Sequence, residues 1–296
     1  LKSKTVWVIA IILFLFLCLG GLGFLTIALL LSPSGDWIDT RGDIAIVEVK
    51  GPIFESGPTI EKLEKYRKSS SVKAVVLRID SPGGSVGASQ EIYTEVKRLA
   101  AKKKVVVSMG TVAASGGYYI AVPAHKIVAN PGTLTGSIGV LMEHVEVNEL
   151  LKWAKVSAEI LKSGELKDVG SALRKMNPEE RDLLEQILHN LHHQFQKAVA
   201  EGRHIPLEEV EKIGNGRVYT GEQALNLKLI DQFGNLEDAV DVAKSLAGIE
   251  GEPKVIKPEK EKPLWMDLLL GEGSERMMKN VLTDWVGFKT LYLMSI

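Results

Sequence analysis

The sequence predicts an α/β fold: a βαβ core preceded by one transmembrane helix. Apolar runs of strand length alternate with amphipathic stretches of helical length between residues 43 and 250, the pattern of parallel strands joined by helical crossovers. Two of those runs end in glycine-rich turns, at 80–84 and 110–117. Residues 6–31 are apolar and uncharged throughout, long enough at about 1.5 Å per residue to cross a hydrocarbon core of about 30 Å.

Taken in order, residues 1–5 are a short polar N-terminus and 6–31 the anchor. A cleaved secretory signal is the competing reading, but the run exceeds a typical apolar h-region and no A-x-A-like site follows it. Cys18 follows Leu15, Phe16 and Leu17, bulkier than a lipoprotein cleavage site needs. Lys2 and Lys4 precede the span, and Asp36 and Asp39 follow it. The positive-inside bias places the N-terminus in the cytoplasm and the rest across the membrane. Residues 32–42 read as a linker.

Within the core, 43–49 reads as a strand, 59–68 as an amphipathic helix and 72–79 as a β-branched strand. A helix over 86–102 carries Val86, Ile92, Val96 and Leu99 on one stripe, and 104–108 is a buried strand. A long helix over 178–201 opens with Asn177 as cap, Pro178 and two glutamates. Residues 251–263 form a second linker, and 264–296 a tail in which Met278, Val281, Leu282, Trp285, Phe288 and Tyr292 recur at helical spacing.

Composition narrows the function. The 36 basic and 37 acidic residues leave no basic field for nucleic acid. A single cysteine excludes a disulfide within one chain and a cysteine-based metal site. Of the six histidines, His189 and His193 are four apart, but the glutamate of a zinc-protease motif is missing between them. Neither a metal nor a cofactor is expected. His125 and His144 lie near strand ends, with nothing around them that marks a triad.

Ser115 is the candidate nucleophile. It joins an apolar strand to Gly116-Gly117-Tyr118-Tyr119-Ile120, a run able to start a helix. A serine there has an ordinary explanation as N-cap. Its small neighbours favour chemistry, because Ala113, Ala114, Gly116 and Gly117 let a substrate backbone approach. The Gly116 amide, at a helix start, faces developing negative charge on a carbonyl oxygen. A second donor is available from Gly83 or Gly84, at the carboxyl end of another strand, where α/β sheets form ligand crevices. For the base, Lys162 and Lys167 stand level on their residues alone; either amine works only if burial lowers its pKa from about 10.4.

Five motifs in order resemble the signal peptide peptidase A family. They are Asp80-Ser81-Pro82-Gly83-Gly84, Ala114-Ser115-Gly116-Gly117-Tyr118-Tyr119, Leu134-Thr135-Gly136-Ser137-Ile138-Gly139-Val140, Lys162-Ser163-Gly164-Glu165-Leu166-Lys167-Asp168 and Gly216-Arg217-Val218-Tyr219-Thr220-Gly221. The resemblance spans roughly residues 40–250 and implies a ClpP/crotonase-like fold in a short, one-domain subunit, with subunits forming a membrane-docked homo-oligomeric ring. Position by position it implies Ser115 as nucleophile, Lys167 as general base and Ser137 as the residue orienting the lysine. Gly116 and either Gly83 or Gly84, with a lean to Gly84, match the oxyanion hole. Lys228 departs from the family's usual glycine.

The implied activity is a membrane-anchored Ser-Lys endopeptidase acting on remnant signal peptides and other apolar peptides at the cell membrane. Its catalytic domain would be extracytoplasmic. The alternatives are a stomatin-partner type of membrane Ser-Lys peptidase, a crotonase-type acyl-CoA enzyme without a serine nucleophile, and a catalytically inactive crotonase-fold membrane scaffold.

Overall fold

A computed structural model of the chain describes residues 40–258, the isolated helical positions Phe16, Gly20 and Gly21, and the backbone of residues 291–293. The chain divides into two units, Leu1–Asp39 and Thr40–Ile296. The anchor expected over 6–31 lies, but for those isolated positions, outside the described residues. Among the described residues no helix is long and apolar enough to cross a membrane.

The second unit is an α/β core. Strands β1 (Ile44–Lys50), β2 (Ala74–Ser81) and β4 (Lys104–Ala114) alternate with helices α1 (Gly57–Lys68) and α2 (Val86–Ala100). The short strand β3 (Gly83–Ser85) directly follows β2. β1, β2 and β4 pair in parallel, Val47 with Leu77 and Leu77 with Val107. Parallel strands are covered on both faces, which is why these read as continuous apolar runs. Ala239 and Ala243 of α8 (Leu236–Leu246) pack in one cluster with Ile44, Ile46, Val76, Val106 and Val128. Helices α1, α2 and α3 (Gly116–Ala121) pack on β1, β2 and β4.

β4 extends six residues beyond the run expected as a strand and changes partner along its length. Its first half pairs with β5 (Lys126–Ala129) and its last three residues with β6 (Leu134–Gly136). An irregularity against β2 separates the halves, with Ile79 opposite Met109 and Ser81 opposite Ala113. Asp80 fixes this bulge: its Oδ1 accepts the Val112 N–H at 3.1 Å. Gly110 makes room for it, since a Cβ there would stand 2.7 Å from the Asp80 carboxyl carbon. The bulge bends the strand whose end carries Ser115.

β7 (Val218–Thr220) joins β6 antiparallel, β8 (Gln232–Phe233) joins β5, and β9 (Val255–Ile256) closes the far edge on β1. The long helix α5 (Pro178–Arg203) starts at the expected cap, with Asn177 and Glu180 in a reciprocal capping box. Between β6 and α5 the chain forms an arm whose helix, α4 (Asn148–Trp153), has no buried residue. The remaining helices are α6 (Leu207–Ile213) and α7 (Gly221–Asn226).

The tail differs from its helical spacing at one described point. Residues Leu291–Leu293 are extended, as β10, and pair antiparallel with β3, Tyr292 opposite Gly84. The open edge of β3 offers backbone N–H and C=O groups that favour an added strand over a helical turn. The other stripe positions, Met278 to Phe288, lie outside the described residues.

Candidate active site

Ser115 stands where β4 turns into α3, with φ 53° and ψ −119°. An L residue rarely holds this conformation, and strain of this kind concentrates at functional sites. The turn is pinned by two backbone bonds: Ser115 N–H to Gly136 O and Tyr119 N–H to Ser115 O, each 2.8 Å. The side chain makes no capping bond to α3, so N-capping does not account for the serine. Its Oγ is fully buried and, among the described residues, has no hydrogen-bond partner.

The neighbouring motifs converge on this turn. Ala114 lies opposite Gly136 in the ladder, which sets the buried Ser137 beside Ser115 on the next strand exit. Ser137 also has positive φ, 50°, and its N–H bonds Arg217 O at 2.8 Å. Gly116 packs so closely that a Cβ there would sit 2.6 Å from Ser89 Oγ and 3.1 Å from Gly84 N. As the first residue of α3, Gly116 has no preceding helical carbonyl for its amide. Of the two candidate glycines, Gly83 gives its N–H to Ser81 Oγ at 3.1 Å, and Gly84 lies opposite Tyr292 in the β3–β10 ladder.

The lysines lie elsewhere. Lys162 Nζ is held 2.7 Å from both Glu165 O and Asp168 Oδ1. Arg174 Nε takes the other Asp168 oxygen at 2.7 Å and reaches on to Glu180. Arg174, then Lys162, hold the Asp168 carboxyl well below the usual carboxylate range. The Lys162 amine is thus engaged within its own turn. Asp168, for its part, is spent on two cations other than its neighbour Lys167. Lys167 itself is exposed on the turn at 164–170, its N–H bonded to Gly164 O at 3.1 Å. One chain thus brings together Ser115, Ser137, Gly83, Gly84 and Gly116, but not Lys167.

The histidines have other positions. His125 Nδ1 accepts the Val105 N–H at 3.1 Å, and burial lowers its pKa. His192 Nε2 lies 3.0 Å from Ile138 O and 2.6 Å from Gly214 O. Two features escaped the sequence: the Asp80 anchor of the β4 bulge, and Ser89. The sign for Ser89 was present, a polar residue three positions after Val86 and three before Ile92 on a buried stripe.

A strained, buried, unpartnered serine beside glycine amides at the carboxyl end of a parallel sheet agrees with what the sequence matches. The profile of peptidase family S49 matches residues 97–250, and that of Clp protease residues 55–131. The chain belongs to peptidase family S49. The Synechocystis sp. protein slr0021, which bears a protease name, is 41% identical over 241 residues, 81% of this chain and 87% of that one. The chloroplastic serine protease SPPA of Arabidopsis thaliana is 37% identical over 82% of this chain and 38% of its own length. Protease 4 of Salmonella typhi is 38% identical over 72% of this chain and 36% of its own. This S49 chain thus spans little more than a third of the last two relatives and most of the first.

Proposed function

We propose that this S49 peptidase is a membrane-anchored serine endopeptidase with Ser115 as nucleophile and Lys167 as general base. The observation that carries the reading is the Ser115 turn: a buried hydroxyl without a partner, held at φ 53° beside Gly84 and Gly116. Ser115 Oγ attacks the scissile carbonyl as Lys167 takes its proton. The Gly84 and Gly116 amides receive the charge that develops on the carbonyl oxygen. Lys167 passes the proton to the leaving amine, then takes one from the water that hydrolyses the acyl-enzyme. Ser137 holds the lysine amine in line.

A substrate would bind as an added strand on β3, where the chain's own residues 291–293 pair antiparallel. Substrates are remnant signal peptides and other apolar peptides, met at the bilayer through the span at 6–31. The N-terminus is cytoplasmic and the catalytic domain extracytoplasmic.

Lys167 acts as a base only when its ammonium is desolvated. In one chain it is exposed on an arm that also exposes Trp153 (81%) and Leu161 (89%). A ring of copies covers such an apolar arm and brings the lysine of one subunit to the serine of the next. The test of the dyad is cleavage of a fluorogenic apolar peptide by the full chain in detergent. Ser115→Ala and Lys167→Ala are each expected to lose at least about 10³-fold in kcat. Turnover retained in Ser115→Ala overturns the reading. An active Lys167→Ala with a dead Lys162→Ala overturns the base alone.

A further inference from the structure

The long helix α5 meets the candidate site at two points. Phe195 packs edge-on with Tyr119 of α3, ring centroids 4.9 Å apart, and Tyr119 gives its N–H to Ser115 O at 2.8 Å. Three residues earlier on α5, His192 Nε2 lies 3.0 Å from Ile138 O and 2.6 Å from Gly214 O. Ile138 directly follows Ser137. Carbonyl oxygens only accept, so Nε2 carries the proton and donates to the pair. The Gln196 amide nitrogen, 3.2 Å from the same Nε2, then gives its own proton to Gly214 O.

Neither carbonyl needs His192 to be satisfied. Ile138 O also accepts the Gly216 N–H at 3.0 Å, and Gly214 O accepts from Gln196 at 3.2 Å. What the imidazole adds is position: one N–H ties the exit of β6 to the loop at 214–217, and both to α5. The same loop holds Ser137, whose φ is 50° and whose N–H bonds Arg217 O at 2.8 Å. A residue at such a φ keeps its conformation only where its surroundings over-determine it. The conformation of Ser137 therefore depends on the contact that His192 reinforces.

We propose that His192 is a positioning residue, acting through the Ile138 and Gly214 carbonyls to hold the Ser137 hydroxyl where it receives the lysine amine. The inference rests on the reading of Ser137 as the residue that keeps the Lys167 amine in line. His192 neither takes nor gives a proton in the reaction.

The experiment measures peptide cleavage by the full chain in detergent, with His192→Phe, His192→Gln, Ser137→Ala and the double variant of His192→Phe with Ser137→Ala. His192→Phe keeps a flat ring and removes the donor. It is expected to lower kcat about 10- to 100-fold, the scale of a displacement of about 1 Å, with KM within about twofold. His192→Gln, whose amide nitrogen reaches the place of Nε2, should recover to within about fivefold of the wild type. The double variant should be no slower than Ser137→Ala alone, because both changes remove one function. Wild-type kcat in His192→Phe, or losses that multiply in the double variant, overturns the proposal in favour of a packing role. If His192→Phe does not fold, His192→Gln is compared with His192→Asn, whose amide is too short to reach both carbonyls; equal rates overturn the proposal. Wild-type activity in Ser137→Ala sinks the parent reading and this one with it. An impaired Ser137→Ala beside an unimpaired His192→Phe sinks this one alone, which separates the two failures.

Discussion

At φ 53° and ψ −119°, Ser115 holds a backbone conformation in which a Cβ crowds its own peptide unit. Such a residue costs of order 1–3 kcal/mol and persists only where its surroundings over-determine it. Here they do so through Ser115 N–H to Gly136 O and Tyr119 N–H to Ser115 O. Glycine lacks the Cβ and takes this conformation freely. Ser115→Gly is therefore expected to be more stable than Ser115→Ala by about 1 kcal/mol in urea unfolding, with both inactive. Equal stability of the two variants would show that the turn stores no strain. Space, rather than conformation, explains the pair of glycines after the serine: α3 starts flush against the β2–β3 exit, where Ser89 Oγ and Gly84 N leave no room for a side chain at Gly116 and Ser81 O leaves none at Gly117.

Among the elements, the arm and α5 are tied together by charge. Arg174 bonds Asp168 on one side and Glu180 on the other, and Glu180 also closes the capping box of α5. Arg174 and then the Asn177 N–H hold the Glu180 carboxyl down at about 2. Both carboxyls ionise more readily folded than unfolded, so their contribution to stability is complete above about pH 5 and falls away as pH drops towards about 2. Urea midpoints at about pH 7 and about pH 3 should therefore differ less in Arg174→Gln than in the wild type. An unchanged pH dependence would remove Arg174 as the cause. The core elements were legible because buried strands and amphipathic helices write their period directly into the chain, as in Val75–Ile79 and the Val86, Ile92, Val96, Leu99 stripe. The far end of β4 was not: Gly110 to Ala114 are mostly small, and they form a strand only because Asp80 and β6 hold them. Ser115 was legible from its neighbours. Its strain was not, since local sequence does not encode what the Gly136 carbonyl imposes. Nor was the turn at 291–293 from helical spacing to strand, which follows from an open edge elsewhere in the fold.

For the whole molecule, the proposed dyad raises the question of how an exposed lysine would reach a buried serine. Among the described residues Ser115 Oγ has no partner, and Lys167 stands on an arm whose helix has no buried residue. Moving Lys167 within one chain would mean breaking the Lys162–Asp168–Arg174–Glu180 ties that fix its turn. In the proposed ring, docking the intact arm onto a neighbour would break none of these, would cover the exposed Trp153 and Leu161, and would desolvate the lysine at the same time. In a closed ring each site would then take its serine from one subunit and its lysine from the next. Chains of Ser115→Ala and Lys167→Ala, each inactive alone, are accordingly expected to regain about a quarter of wild-type activity when dissociated and reassembled at equal ratio. Adding Trp153→Asp to both variants should abolish the rescue by keeping the arm from docking. A mixture that reassembles yet stays inactive would place both groups of the dyad in one chain, and the arm would then have to close on its own serine.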